Sequence, residues 1–399
     1  MPAPREDAAT AGDDAADYLG RVKALAPKIA AAGDEIESAR RLPPALLDAL
    51  IEAGLFRMLL PRAYGGGEVA PPVFAQVTHA LAEIDASTAW CIGQNSGCSM
   101  AAAYLAPEVA RKIFGAPRGI LAWGAGPNAR AVAVEGGYRV TGGWGFASGS
   151  RHATWLGGNC AIHNADGSER RGADGLPMVR TLLFPIGEAE ITDTWHVVGL
   201  RGTGSDSYAV HDLFVPAAHS IGRDVQEERR CPGRLYRLST SNLYACGFAG
   251  VALGIARGML DALLDLAQEK TPRGLKHALR DSPVFQTDIA VLEARHRAAR
   301  HYLLGEIGAI WQSVARTNDL TLDQRMAWRL ATTHAIQEAL AVADAAYYAA
   351  GATAIFESNR FERRLRDMHA VAQQLQGRRA HLEQVGKHFL GLAADTTFV

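Results

Sequence analysis

The chain has 399 residues, 48% hydrophobic and 21% charged, which is typical of a globular protein and excludes a disordered or fibrous one. Lysine and arginine number 41 against 42 aspartate and glutamate, so the net charge of −1 argues against nucleic acid and against an anionic membrane surface as partners. The five cysteines form no CxxC pair. They predict buried, reduced thiols in a cytoplasmic protein rather than a disulfide framework or a zinc site.

The first part of the chain is helical in its pattern. Residues 1–16 are rich in Ala, Asp and Pro, carry no signal-peptide pattern and predict a disordered tail. Apolar residues at three- and four-residue spacing predict a helical domain over residues 17–117, and the apolar stretches 71–85 and 87–105 predict helices buried inside it. No apolar stretch reaches the roughly 20 residues that a membrane span needs.

Short β-branched and aromatic runs separated by glycine pairs predict a middle antiparallel β domain over residues 118–222. Within it, the turn Glu135-Gly136-Gly137 between two alternating runs indicates a β-hairpin. Helical periodicity returns in four segments and predicts a C-terminal four-helix bundle over residues 234–399. The fold class is therefore α+β, with a β domain between two helical domains.

The common catalytic motifs are absent. None of the thirteen histidines lies in an HExxH motif or near carboxylates at ligand spacing, which predicts no metal site. No segment has the spacing of a serine nucleophile elbow, a Rossmann turn or a P-loop. Glycine instead accompanies Trp, Ser and Thr in the segments 123–124, 144–150 and 199–205, where it would let the backbone approach a flat ligand. Taken singly, each segment is explained as well by a tight turn beside a core tryptophan.

In combination these segments make the chain resemble the acyl-CoA dehydrogenase superfamily of flavoproteins. The resemblance runs from PRAYGGGE through GGYRVTGGWGFASGSRHATW and VVGLRGTGSDSYAVHDLFVP to AGATAIFESNRFERRLRDMHA and VGKHFLGL. It implies the same three-domain fold, a homotetramer, and a flavin at the domain and subunit junctions. The positions that match flavin contacts in this family are Trp123, Trp144, Phe146, Ser148, Gly149, Arg201, Thr203, Ser205, Gln286 and Arg366.

Some of these residues have structural explanations as well. Arg366 lies with Arg363 and Asp367 in a charged segment, where an ion-pair network is as good an explanation as a flavin contact. Gln286 could simply belong to the polar face of an amphipathic helix. His152 and His211 each flank a β segment and are interpreted as surface or loop residues.

An acyl-CoA dehydrogenase removes the α-proton of a thioester with a glutamate. The two positions at which the family carries this base fall near Gln374 or Leu375 and near Leu243 or Tyr244. Neither an amide nor an alkyl group can accept that proton at neutral pH. The absence of glutamate at both positions disfavours thioester dehydrogenation.

The segment WGFASGSRHATW resembles the W-x-F-x-S-G-x-x-H-A-x-W pattern of the two-component flavin-dependent monooxygenases. This resemblance implies that Ser148 hydrogen-bonds near flavin N5. It also implies reduced FMN or FAD supplied by a separate flavin reductase, O2 as co-substrate, a C4a-(hydro)peroxyflavin and a small-molecule substrate. Such chemistry requires a dry pocket, since water would promote loss of hydrogen peroxide.

The chain departs from several hydroxylases of this branch at two positions, where Asn95 and Gln374 stand in place of histidines. Amides can position a substrate by hydrogen bonds but cannot act as bases. The candidate catalytic residues are therefore Ser148, Asn95 and Gln374. Two alternatives stay open: an FAD-dependent acyl-CoA dehydrogenase or desaturase with its base elsewhere, and a flavin-fold binding protein without turnover.

Overall fold

The computed structural model describes residues 7–172 and 175–399, and its N-terminal part is helical. The helices are α1 (Asp7–Ala31), α2 (Gly33–Ala39), α3 (Pro44–Glu52), α4 (Pro71–Ala82), α5 (Ala86–Ser99) and α6 (Pro107–Phe114). Helix α1 already covers residues 7–16 of the segment predicted to be a disordered tail. Alanine and N-terminal acidic residues favour a helix start, which accounts for the difference, and residues 1–6 lie outside the described residues.

Helix α5 is the buried centre of the N-terminal part. Asp85 caps it, because the Asp85 carboxylate accepts a hydrogen bond of 2.6 Å from the backbone N–H of Thr88. Every residue of α5 is buried except Gln94. The prediction of a buried apolar helix is therefore confirmed.

Within the described residues, the middle part is a single sheet of eight strands. They are β1 (Leu121–Trp123), β2 (Arg130–Val134), β3 (Gly137–Trp144), β4 (Trp155–His163), β5 (Val179–Pro185), β6 (Glu190–Thr192), β7 (Ser207–Pro216) and β8 (Ser220–Ile221). The strand order is β6-β7-β3-β2-β4-β5-β8, and β1 pairs with β4. The hairpin predicted between β2 and β3 is present, with Val134 opposite Gly137.

The sheet is mixed, whereas a purely antiparallel sheet was predicted from the sequence. Strand β4 runs parallel to both β1 and β2. The reason is the connection 145–154, which crosses from β3 past β2 and so brings β4 back in the direction of β2. This crossover contains most of the WGFASG motif, so the departure from simple hairpins is what places the motif at the end of the sheet.

The C-terminal part contains α7 (Thr240–Glu269), α8 (Pro283–Thr317), α9 (Leu322–Ala350), α10 (Arg360–Gln373) and α11 (Ala380–Phe389). Within the described residues, α7 alone is long and apolar enough to cross a membrane, but 89% of its apolar window is buried inside the protein. It is the core helix that packs against α4, α5, α9 and α10. The predicted order of helical, β and helical parts is confirmed, with α10 as a helix beyond the four predicted helical segments.

Candidate functional site

Two glycine-containing loops that are far apart in sequence meet at one end of the sheet. Loop 145–150 follows β3, and loop 199–206 precedes β7. The backbone N–H of Gly149 donates to the Thr203 carbonyl at 2.9 Å, and that of Ala147 donates to the Asp206 carbonyl at 3.1 Å. Asp206 is buried and forms an ion pair of 2.6 Å with Arg151. The two segments singled out in the sequence therefore form one structural unit, which we call the loop junction.

Phe146 presents an aromatic ring at the surface of the loop junction. Its backbone has φ of 60°, a left-handed conformation that costs a non-glycine residue on the order of 1–2 kcal/mol. Its side chain is 73% exposed and meets the ring of Trp195 edge-on at 6.0 Å. An exposed aromatic ring held by a strained backbone is suited to contact with a flat ligand.

A chain of hydrogen bonds runs through the buried hydroxyls of the loop junction. Trp90 Nε1 donates to Ser148 Oγ at 3.0 Å, while 2.7 Å separates Ser148 Oγ from Ser205 Oγ and also Ser205 Oγ from Thr203 Oγ1. The Thr203 hydroxyl donates to the Leu200 carbonyl at 2.8 Å. We call this set the hydroxyl chain.

The hydrogen bond to the Leu200 carbonyl determines which hydroxyl is the donor at each step of the hydroxyl chain. A carbonyl can only accept, so the Thr203 hydroxyl donates its single proton to the Leu200 carbonyl. The Thr203 oxygen must therefore accept from the Ser205 hydroxyl. Ser205 in turn must accept from Ser148. Ser148 Oγ thus gives its proton to Ser205, accepts from Trp90, and keeps one further acceptor position for an N–H or O–H of a ligand.

A stack of aromatic rings extends from the hydroxyl chain into the protein. Trp90 stacks on Phe248 with ring centroids 3.8 Å apart, and Phe248 stacks on Tyr244 at 5.6 Å. The Tyr244 hydroxyl accepts from Gln94 Nε2 at 3.2 Å and lies 3.3 Å from Cys98 Sγ. Burial raises the pKa of Cys98 to about 12 and that of Tyr244 well above its ordinary value, so both groups are neutral at physiological pH.

Asn95 lies beneath the loop junction and ties it to the sheet. Its Nδ2 donates to the carbonyls of Leu121 at 3.0 Å and of Ser148 at 3.5 Å. Its Oδ1 is buried without a hydrogen-bond partner among the described residues. A Cβ on Gly149 would lie 2.2 Å from this oxygen, so Gly149 and Asn95 are packed as closely as the backbone allows.

We expect Gly149→Ala to lower the free energy of unfolding by about 2 kcal/mol or more, through left-handed strain and overpacking against Asn95. Gly136→Ala is the matched control, because Gly136 has φ of 76° against 75° at Gly149, and nothing lies within 4 Å of its added Cβ. Urea unfolding of both variants separates the two contributions. Equal losses of stability would contradict the close packing.

Arg201 and Arg366 lie in an ion-pair network. Arg366 contacts Glu37 and Glu362, each at 2.7 Å, and Arg201 approaches the same Glu37 at 3.5 Å. The network joins α2 and α10 to loop 199–206. The structural explanation weighed for Arg366 in the sequence is therefore present in the structure, and a contact of either arginine with flavin stays a prediction.

Three of the other candidate residues lie apart from the loop junction. Trp144 is in the β core, where it stacks on Tyr208 at 5.2 Å and donates to the Asn159 carbonyl at 3.2 Å. Gln286 is exposed on α8 and donates to a backbone carbonyl at 2.8 Å. Gln374 caps the end of α10, where its Oε1 accepts from the backbone N–H of Gln376 at 2.7 Å. Their proposed roles at a ligand remain predictions.

Trp123 lies close to the loop junction, since the residue after next, Ala125, pairs with Gly145 in a β-bridge. The structure thus brings Trp123, Phe146 and Ser148 to one end of the sheet. The same region contains Asn95, Gly149, Thr203 and Ser205.

Sequence reasoning missed the roles of two residues. His152 lies in the connection 145–154, but it is buried, and its Nε2 accepts from the backbone N–H of Leu42 at 2.9 Å. Of the two interpretations, surface or loop residue, the surface one was therefore wrong. Burial lowers the pKa of His152 to about 3. Trp90 was taken only as part of an apolar helix, although a buried indole N–H needs an acceptor and could have prompted a search for one. His211 is exposed, as predicted.

Comparison with known proteins gives consistent matches over both helical parts. The model of the acyl-CoA dehydrogenase N-terminal domain matches residues 21–114, and that of the C-terminal domain matches residues 246–377. The chain is 30% identical to indole-3-acetate monooxygenase of Pseudomonas putida over 85% of each chain. It is also 30% identical to the oxygenase component of the FADH2-dependent resorcinol hydroxylase of Rhizobium sp., over 90% of each chain.

A solved structure shares the whole fold. The protein XiaF from Streptomyces sp., determined in complex with FADH2 and glycerol, superposes with a TM-score of 0.89 at 25% identity. The superposition covers 96% of the chain described here and 98% of XiaF. The similarity therefore includes the middle sheet and the loop junction as well as the two helical parts.

Proposed function

Because the chain belongs to the acyl-CoA dehydrogenase superfamily and, within it, to the flavin-dependent monooxygenases, we propose that it uses reduced FMN or FAD and O2 to oxygenate a small organic substrate. The family membership confirms the resemblance found in the sequence, and the protein is an oxidoreductase. Two of the relatives named above use or bind FADH2, which supports a reduced flavin as the cofactor here.

The residues at the loop junction fit the isoalloxazine ring of a flavin. Phe146 offers an exposed aromatic ring, and the hydroxyl of Ser148 offers an acceptor without a competing proton. Gly149 leaves no room between its backbone and Asn95, so the loop packs directly on α5. Phe146, Ser148 and Trp123 would hold the ring, and Thr203 and Ser205 would act on it through Ser148.

The observation that carries the proposal is the direction of the hydroxyl chain. A reduced flavin carries a proton on N5, whereas an oxidised flavin does not. Ser148 Oγ can accept from such an N–H but has no proton to offer to an unprotonated nitrogen. The site is therefore arranged for the reduced form.

When bound, the reduced flavin would react with O2 and supply one oxygen atom to the substrate. The protein would hold the flavin N5–H at Ser148 Oγ and exclude water with the stacked rings of Trp90 and Phe248. Cys98 and Tyr244 stay protonated at physiological pH, so neither can deprotonate a substrate. Substrates that need no deprotonation by the enzyme suit this pocket best.

The dehydrogenase alternative finds no base at either family position. Leu243 and Tyr244 stand at one, and Gln374 is tied to the Gln376 backbone at the other. Asp367 is a buried carboxylate on α10, the helix whose end Gln374 caps, but it already accepts a hydrogen bond of 2.6 Å from the backbone N–H of Leu200. These contacts support oxygenation over thioester dehydrogenation.

The remaining parts of the proposal concern partners and location. We expect a separate reductase to supply the reduced flavin, in keeping with the relative named as an oxygenase component. A homotetramer would cover the side chains of Tyr348, Ile355 and Phe356, which are 88%, 63% and 61% exposed near the end of α9. All five cysteines are free thiols, which suits the reducing cytoplasm.

The decisive experiment supplies the purified protein with enzymatically reduced FMN or FAD under ¹⁸O2 and an aromatic test panel. We expect product that carries one ¹⁸O atom and that forms only when protein and reduced flavin are both present. Product formation with oxidised flavin, or without incorporation of ¹⁸O, would refute the proposal. Reduction of added FAD by an acyl-CoA would instead establish the dehydrogenase alternative.

A further inference from the structure

Arg223 is a partly buried cation beside an aromatic ring. Its guanidinium lies over the ring of Trp123, with 5.1 Å between Cζ and the ring centroid. Within the described part of the chain, no carboxylate lies at ion-pair distance from it. A partly buried charge without a partner is costly and commonly marks the place of a charged ligand.

The two acidic residues close to Arg223 in sequence are engaged elsewhere. The Asp224 carboxylate accepts hydrogen bonds from the backbone N–H and the hydroxyl of Thr240, at 2.9 and 2.8 Å. Glu228 pairs with Arg180 at 2.7 Å. Asp224 also has φ of 66°, so a strained turn directs this part of the chain and leaves Arg223 over Trp123.

The groups near Arg223 are the Asp224 carboxylate, which is hydrogen-bonded to Thr240, and the neutral side chains of Cys98 and Tyr244. The positive charge of Arg223 acts to lower the pKa of Cys98 and of Tyr244, against the larger effect of burial, so Arg223 lies near both groups. Tyr244 and Gln94 are the partly exposed positions on helix faces that are otherwise buried here. These two side chains are therefore within reach of a ligand that enters from solvent beside Arg223.

Resting on the proposed function, we propose that Arg223 binds the carboxylate of an aromatic acid, whose ring lies against Trp123 and Tyr244 in the substrate pocket. Arginine matches a carboxylate with two parallel hydrogen bonds, and the aromatic walls suit a planar ring. The neutral amide Gln94 and thiol Cys98 would not repel the negative charge. Arg223 is thereby assigned as a specificity-determining residue that selects aryl acids over neutral aromatics.

The test compares matched pairs of probes, phenylacetate with phenylacetamide and indole-3-acetate with indole-3-acetamide. Binding is measured by quenching of tryptophan fluorescence, with and without flavin. We expect the wild type to bind the acids about 10- to 100-fold more tightly than the amides, as a charge-assisted hydrogen bond implies. Arg223→Gln should abolish this preference without changing amide binding, and Arg223→Lys should keep part of it.

Arg230→Gln is the control, because Arg230 is an exposed cation in the same segment. An equal preference for acids in wild type, Arg223→Gln and Arg230→Gln would overturn the assignment, as would the absence of any preference in the wild type. Reduced flavin affinity in Arg223→Gln with unchanged acid preference would show a flavin contact instead and would also overturn it. Failure of the wild type to bind reduced flavin refutes the proposed function separately, since acid binding is read without flavin.

Discussion

Ser148→Ala is expected to fold like the wild type, but to release most of the oxygen it consumes as hydrogen peroxide. The substitution removes the acceptor position that Ser148 Oγ keeps for an N–H of the flavin. A hydrogen bond of about 1–1.5 kcal/mol lost from the oxygenated state corresponds to roughly tenfold faster loss of peroxide. The measurement is the ratio of hydrogen peroxide to oxygenated product per reduced flavin consumed.

Ser150→Ala is the matched control for this prediction. Ser150 is also buried in the same turn, but its hydroxyl donates to the Gly204 carbonyl at 3.2 Å and takes no part in the hydroxyl chain. Ser205→Ala should act in the same direction as Ser148→Ala and more weakly, because Ser148 keeps its oxygen but loses the partner that orients its proton. Unchanged coupling in Ser148→Ala would remove this residue from the proposed role.

The order of the three parts of the fold was predictable because each has a distinct hydrophobic period. Helix α5 shows this well, since its apolar sequence predicted burial and all its residues but Gln94 are buried. The parallel pairing of β4 with β2 was not predictable from the same patterns. Alternation identifies strands but carries no information on direction, which here depends on the path of the crossover 145–154.

The candidate site was predictable where a local motif fixes the backbone. Phe146, Ser148 and Gly149 belong to one such motif and lie together at the loop junction. Contacts between segments that are distant in sequence could not be predicted. Trp90 donates to Ser148, which is 58 residues away along the chain, and Arg223 lies over Trp123. Such pairings depend on tertiary packing, which no periodicity encodes.

Asp367→Asn is expected to gain stability relative to the wild type as the pH rises from about 4 to about 7, by about 1.4 kcal/mol per pH unit. Burial raises the pKa of Asp367 from 3.8 to about 7; Asp85 and Glu37 add to this effect, while the Leu200 N–H and Arg366 oppose it. Between these values the folded wild type holds a proton that the unfolded chain has released, so its stability falls with rising pH. Asparagine cannot take up that proton but can still accept from Leu200.

Urea unfolding of both proteins at pH 4 to 8 measures this difference, with Asp288→Asn as the control for removing an exposed negative charge from α8. The low pKa of His152 makes stability fall as the pH drops below 6.5, but it does so equally in both proteins and cancels in the comparison. A difference that does not change with pH would mean that Asp367 is ionised in the folded state. Its carboxylate would then hold Leu200, and with it the end of the hydroxyl chain, as a charged acceptor rather than a neutral one.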